Sequence, residues 1–311
     1  MRRSSAGSLS GRRPGGDRPQ PAIRDSFRPG ACHGSRVWGS RPRVLRSKAS
    51  ACVTRRIPLE LPDEQPFLPR LSGAGSLRRE LEAVFAVAPS DSALAAYRDL
   101  LLVQNAAGKG SVSMRNWTWK RLKNRYLLDP SVSEFVAFRG AMDEAHDPSE
   151  RGLLAFLMMA RTDRLFRDVT LEIVSPLLDS ADSLIAAEKI RDAIQARAEI
   201  HQLRWTDNSI RGVTSHLLSS AKDFGLLTGA ASKRTQRVRP GPSSASFAVQ
   251  LSRLEGLSDR QSLESRWFRL LGMSFDRVLS VMFDAARAGV LEFRFQADVA
   301  EITLRTPARG E

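Results

Sequence analysis

Residues 274–304 read SFDRVLSVMFDAARAGVLEFRFQADVAEITL, and they carry the clearest structural signal in the chain. Ser274 can cap a helix bearing Phe275, Val278, Met282 and Ala286 on one side, and Gly289 ends it. Leu291, Phe293 and Phe295 then alternate with polar residues, a turn falls around Gln296–Asp298, and Ala300, Ile302 and Leu304 alternate again. Period-two alternation on both sides of a short turn predicts a β-hairpin.

The same grammar occurs once upstream. Thr206, Asp207 and Asn208 offer capping side chains, and Ile210, Val213, Leu217, Ala221 and Phe224 form one apolar stripe. Gly225 is placed to close the helix, Leu226 and Leu227 begin a short strand, and residues 228–239 are polar and basic. Pro240, Gly241 and Pro242 end that ribbon, and a linking helix over Ala245–Leu254 leads to the later copy. Helix, glycine, strand and ribbon in this order predict two winged-helix-like units, at 205–242 and, with the linking helix, at 243–306.

Residues 71–204 predict a helical bundle. Ser76 can cap a helix through Leu77, Leu81, Val84, Phe85 and Ala88, and a second runs through Leu94, Tyr97 and Leu101. A third spans about Ser113–Leu128, stopped by Asp129 and Pro130. Further helices are expected over Val132–Glu144, Glu150–Met159, Asp163–Leu178 (bent or broken around Pro176) and Asp182–His201. Residues 1–70 are Arg, Pro, Gly and Ser with scattered single hydrophobics, the composition of a disordered basic tail. The fold class is therefore mainly α: a helical bundle followed by two winged-helix-like units, the last ending in a β-hairpin.

The formal net charge of +14 is concentrated in that tail. Residues 1–56 hold 14 Lys/Arg against Asp17 and Asp25, which leaves 34 bases and 32 acids for the other 255 residues. Any nucleic-acid argument about the body thus rests on local clusters. Both cysteines, Cys32 and Cys52, lie in the tail, so neither a disulfide framework nor a thiolate metal site is expected in the body. No apolar run approaches the length of a membrane span, and a soluble, cytoplasmic protein is expected.

No catalytic constellation stands out, and no cofactor or metal is expected. Gly108-Lys109-Gly110-Ser111 lacks a phosphate loop's pattern, because Val103 stands where the first glycine belongs and Gly110 where Ser or Thr must follow lysine. His33, His146, His201 and His216 lack ligand-spaced partners.

Two basic clusters point to DNA. The helix after Thr206 leaves Arg211, Ser215, Ser219 and Lys222 on a face away from its apolar stripe, and the ribbon adds Lys233, Arg234, Arg237 and Arg239. Short polar side chains between bases allow a helix to approach a major groove while its ends touch phosphates. An ordinary polar helix face followed by a solvated basic loop is the plainer reading. The third helix is the other candidate: from Lys109 to Arg125 there are six bases, Arg115, Lys120, Arg121 and Lys123 among them, and no acid. Helices that pack through residues such as Trp119 and Tyr126 also snorkel bases outward for packing reasons alone. The hairpin unit has mixed charge and reads as a packing or protein-contact element.

The chain resembles the BrxA-type accessory proteins of BREX phage-defence systems over residues 75–305. The similarity lies in QNAAGKGS at 104–111, WKRLKNRYLLD at 119–129, LLAFLMMARTDRLFRD at 153–168, SSAKDFGLL at 219–227 and WFRLLGM at 267–273. The long basic tail and Trp117 beside Trp119 depart from that pattern. The resemblance implies a helical, non-enzymatic protein that binds double-stranded DNA and works beside a methyltransferase, an ATPase and a phosphatase-like component, without a membrane. The alternatives are a protein-interaction scaffold that never touches nucleic acid and a winged-helix transcription regulator.

Overall fold

The protein is described by a computed structural model for Asp63 and residues 65–305; the rest of the expected basic tail lies outside the described residues. Where the tail was expected to continue to residue 70, Gln65 and Phe67 are already buried in the body. Helices follow the apolar spacing. α1 (Arg78–Phe85) turns Leu81, Val84 and Phe85 inward, and α2 (Leu94–Leu102) does the same with Tyr97, Leu100 and Leu101. α3 (Val112–Tyr126) begins at Ser111, whose hydroxyl accepts the Met114 N–H at 3.2 Å, and stops at Leu127 in the left-handed region. α4 (Ser133–Glu144) and α5 (Pro148–Thr162) follow, the latter capped by Asp147 with proline in its first turn.

α5 is the centre of the bundle: every residue from Gly152 to Thr162 is buried, as in a helix enclosed on all sides. Its Arg161 is paired with Glu134 of α4 at 2.8 Å, and both side chains are 1% exposed. The segment expected to break near Pro176 runs as α6 (Arg164–Val169), a π turn over Thr170–Val174 and a 3-10 turn over Ser175–Leu177.

The next element departs from the sequence reading. Where a helix was expected from Asp182, Asp182 has φ 68 and leads into a two-residue strand, β1 (Leu184–Ile185); α7 starts only at Ala187 and runs to Ile200. α8 (Asp207–Asp223) is capped by Thr206, whose hydroxyl accepts the Ser209 N–H, and Gly225 (φ 84) turns the chain out of it. β2 (Leu227–Thr228) and β3 (Lys233–Thr235) complete an antiparallel sheet of order β1-β3-β2, with Leu184 opposite Arg234 and Leu227 opposite Thr235. Strand, two helices and two strands in this order are compatible with a winged-helix unit.

α9 (Pro242–Leu254) packs against α4, α5 and α12 (Phe275–Arg287), so it joins the bundle to the C-terminal part. Between them lie two five-residue helices absent from the sequence reading, α10 (Asp259–Leu263) and α11 (Arg266–Leu270). β4 (Leu291–Gln296) and β5 (Val299–Leu304) form the expected hairpin, with Phe293 opposite Ile302 and Gln296, expected in the turn, paired with Val299. Ala297 and Asp298 both take positive φ at the turn, as a two-residue hairpin requires. On the outer side of β5, the Ile302 N–H donates to Asp259 Oδ2 at 2.7 Å and its carbonyl accepts from Arg253. One apolar cluster runs from Phe67 to Ile302, with Trp267 fully buried in it. Among the described residues no helix is long and apolar enough to cross a membrane.

Gly152 lets α5 approach the end of α8. A Cβ there would lie 2.9 Å from the Phe224 carbonyl oxygen and 2.6 Å from the Arg78 guanidinium. Gly152→Ala is expected to lower the unfolding free energy by about 1–2 kcal/mol, because overpacking outweighs the gain in helix propensity. Urea unfolding checks this, and a stabilised variant would refute it.

Candidate nucleic-acid interface

α8 buries Ile210, Val213, Leu217 and Ala221 and leaves Arg211, Ser215 and Lys222 exposed. Arg211 donates to Asn208 Oδ1 at 2.7 Å and is not paired with a carboxylate among the described residues. Ser219 is half-buried and donates to the His216 carbonyl at 3.1 Å. On one side of this row is α7, whose Glu188 and Arg191 share a groove with Arg211 and Ser215. On the other is a strap, residues 65–77, that approaches α8 closely. A Cβ at Gly212 would lie 3.2 Å from the Ser72 carbonyl oxygen, and one at Gly75 3.1 Å from Ser219 Oγ.

The strap is held from α3. The Arg125 guanidinium is buried and donates to the carbonyls of Arg70 (3.1 Å), Ala74 (2.6 Å) and Gly75, while Tyr126 Oη donates to the Ser76 carbonyl at 2.7 Å. Burial pulls the Arg125 pKa down to about 10, so it stays charged at neutral pH. Burial, helped by the positive Arg125 and Arg121, lowers the pKa of His216, which therefore adds no positive charge to α8 at neutral pH.

The six bases from Lys109 to Arg125 are therefore not all presented to solvent. Arg125 is internal, and Arg121 donates to the Arg70 carbonyl and lies 4.5 Å from the centre of a Trp117 ring. Arg115 donates to the Leu102 carbonyl at 2.8 Å, and Lys109 is paired with Glu80 at 2.6 Å. Lys120 is exposed and Lys123 half-buried, neither with an ion partner among the described residues. The faint phosphate-loop pattern around Lys109 is thus a loop whose lysine is spent on a neighbouring helix.

The ribbon divides in the same way. Lys233 folds back onto the carbonyls of Gly229 and Ala230. Arg234 is held by Asp182, through its carbonyl at 2.7 Å and its carboxylate at 3.2 Å. Arg237 and Arg239 are exposed and have no ion pair or side-chain hydrogen bond among the described residues. The Gln236 N–H donates to the Leu226 carbonyl at 2.9 Å, which sets this stretch beside the end of α8.

The structure therefore brings Arg211, Ser215, Ser219 and Lys222 onto one helix with Arg237 and Arg239 leaving from a strand at its end. Lys109, Arg115, Lys233 and Arg234 have internal partners, and Lys120 and Lys123 sit on α3. Sequence reading missed Arg79, exposed near the end of α8, and Arg191 on the neighbouring helix. Neither has a local signal, because each meets α8 from a different element. In the hairpin unit Arg277 is paired with Asp179 at 3.0 Å, Arg287 with Asp284 and Arg294 with Glu301.

Among the described residues no group of three or more His, Cys, Asp or Glu could hold a metal ion. No curated protein matches the chain. The family model for BrxA matches residues 66–251, from the strap through the bundle and α8 into α9. That match covers more than half of the sequence, and the chain accordingly belongs to the BrxA family, as a BREX-associated protein.

Proposed function

We propose that the protein is a non-enzymatic accessory component of a BREX system that holds double-stranded DNA through phosphate contacts with modest sequence preference. It would act in the cytoplasm, helping a methyltransferase, an ATPase and a phosphatase-like component to load on the duplex. The observation that carries this reading is the exposed row Arg211, Ser215 and Lys222 on α8, with Arg237 and Arg239 also exposed just past β3. These four cations have no carboxylate partner among the described residues, so phosphate need not displace an internal acid. Short serines between them leave room for a backbone to come close.

Each phosphate contact releases counterions, so affinity falls with salt in proportion to their number. In the full chain, replacing both Arg237 and Arg239 with alanine is expected to weaken duplex binding and to make log K against log[salt] shallower by about 1.8. Unchanged affinity and slope would remove the ribbon from the site.

A scaffold without nucleic-acid contact is the second reading. It draws on Val103, Val112 and Met114, which are exposed around the α2–α3 turn and the start of α3. It predicts capture of another defence component and a salt slope indifferent to every α8 substitution.

A further inference from the structure

Resting on the duplex-binding reading, we infer that α1 supplies a second phosphate contact, with Arg79 and Lys222 holding one phosphodiester group between them. The two side chains line an open groove of about 780 Å³ between the start of α1 and the end of α8. Three carboxylates border it, and each is engaged from within the protein. Glu80 is paired with Lys109 at 2.6 Å, Glu82 with Arg78 at 2.8 Å, and Asp223 accepts from the buried Ser76 hydroxyl at 2.7 Å. Arg78 is further fixed by donating to the carbonyls of Asp223 (2.7 Å) and Pro148 (2.6 Å). Arg79 and Lys222 are both exposed, with no ion pair or side-chain hydrogen bond among the described residues.

Charge counting points to the ligand. The lining itself sets Arg78, Arg79 and Lys222 against Glu80, Glu82 and Asp223, and Lys109, which pairs with Glu80 from outside the lining, leaves one positive charge in surplus. A phosphodiester carries one negative charge, and an arginine can take two of its oxygens while lysine serves as a point charge. Lys222 also belongs to the exposed row of α8, so a strand backbone following that row reaches this groove next. Lys109, which sequence alone made a DNA contact, takes a different part: it cancels Glu80, whose charge would otherwise repel the phosphate.

The test is salt-dependent binding of the full chain to a mixed-sequence duplex, with Arg79→Ala, Arg79→Lys and Arg237→Ala/Arg239→Ala compared. Arg79→Ala is expected to make the salt slope shallower by part of the roughly 0.9 that one phosphate contributes, since Lys222 still faces that phosphate, while Arg79→Lys keeps the wild-type slope. Acetylation followed by mass spectrometry gives a second measure: duplex should shield Lys222, and the new amine in Arg79→Lys, from the reagent. A wild-type slope in Arg79→Ala, together with unshielded Lys222, overturns the α1 contact. If the Arg237/Arg239 variant still loses slope in that case, duplex binding stands and only this inference falls. Wild-type protein that does not retain duplex at low salt removes the underlying reading instead.

Discussion

Glu134→Ala is expected to lower the unfolding free energy by about 3–5 kcal/mol, the largest single loss outside the apolar core. The Glu134 carboxylate and the Arg161 guanidinium meet at 2.8 Å deep between α4 and α5. Burial, with a smaller push from Arg266, lowers the Arg161 pKa, and Glu134 and then Glu255 oppose that shift. Removing Glu134 takes away the carboxylate that contributes most against the burial of this guanidinium, and the lost compensation sets the magnitude. A second variant separates the cost of a broken pair from its net worth. Glu134→Leu combined with Arg161→Met replaces both charges by apolar groups of similar volume and is expected to lie within about 2 kcal/mol of wild type. Urea melts with unchanged m values would check both. A single variant that loses less than about 1 kcal/mol would show that the pair is hydrated, contrary to its burial.

Arg125→Met is expected to cost about 2–4 kcal/mol and to act on one segment. The methionine fills much of the volume but leaves the carbonyls of Ala74 and Gly75 without their donor and that of Arg70 with Arg121 alone. Hydrogen exchange should show the strap amides losing protection while those in the middle of α5 keep theirs, since the strap hydrogen-bonds α5 at its last two carbonyls, Arg161 and Thr162. Because the strap borders Ser219 and Gly212, the same variant should alter the surroundings of α8. Arg125→Lys keeps the charge but not the fork of donors, so it should recover only part of the loss. Uniform loss of protection across the whole chain would mean that the strap is inseparable from the core.

Much of this architecture is written locally. Gly225 and Gly289 both take positive φ at helix ends, as their positions after the apolar stripes of α8 and α12 require. The hairpin's two strands and their inward faces follow from alternation, while its register is set by the two-residue turn at Ala297 and Asp298. β1 was invisible for a physical reason: it has two residues, and its pairing partners Lys233 and Arg234 lie about fifty positions away. α10 and α11 are too short to show a period, although Ser258 and Gln261 carry a capping-box spacing that marks the first of them. The strap reads QPFLPRLSGAGSL, whose spaced hydrophobics show no period, and its order comes from burying Phe67 and Leu71 and from Arg125 and Tyr126 about fifty residues downstream.

The candidate site was legible in its helix and poorly legible in its charges. The row Arg211, Ser215, Ser219 and Lys222 follows from the helical period, and α8 presents it with Ser219 partly covered. A sum of bases over a stretch of chain says nothing about which are consumed at home. Lys109 is taken by Glu80 across 29 positions and Arg234 by Asp182 across 52, contacts that only tertiary structure creates. Arg79 entered no sequence cluster because its neighbours in the chain include Glu80 and Glu82. Those acids are matched by Lys109 and Arg78, so the position is more positive than its local composition suggests.

The side-chain caps on Ile302 bear on self-association. A hairpin at the rim of a molecule exposes a ladder of unpaired backbone groups that a neighbour could extend. With Asp259 and Arg253 already occupying the middle rung of β5, an incoming strand would have to dislodge an ion pair before it could zip up. The chain thus carries its own stopper against edge-to-edge polymerisation on that side.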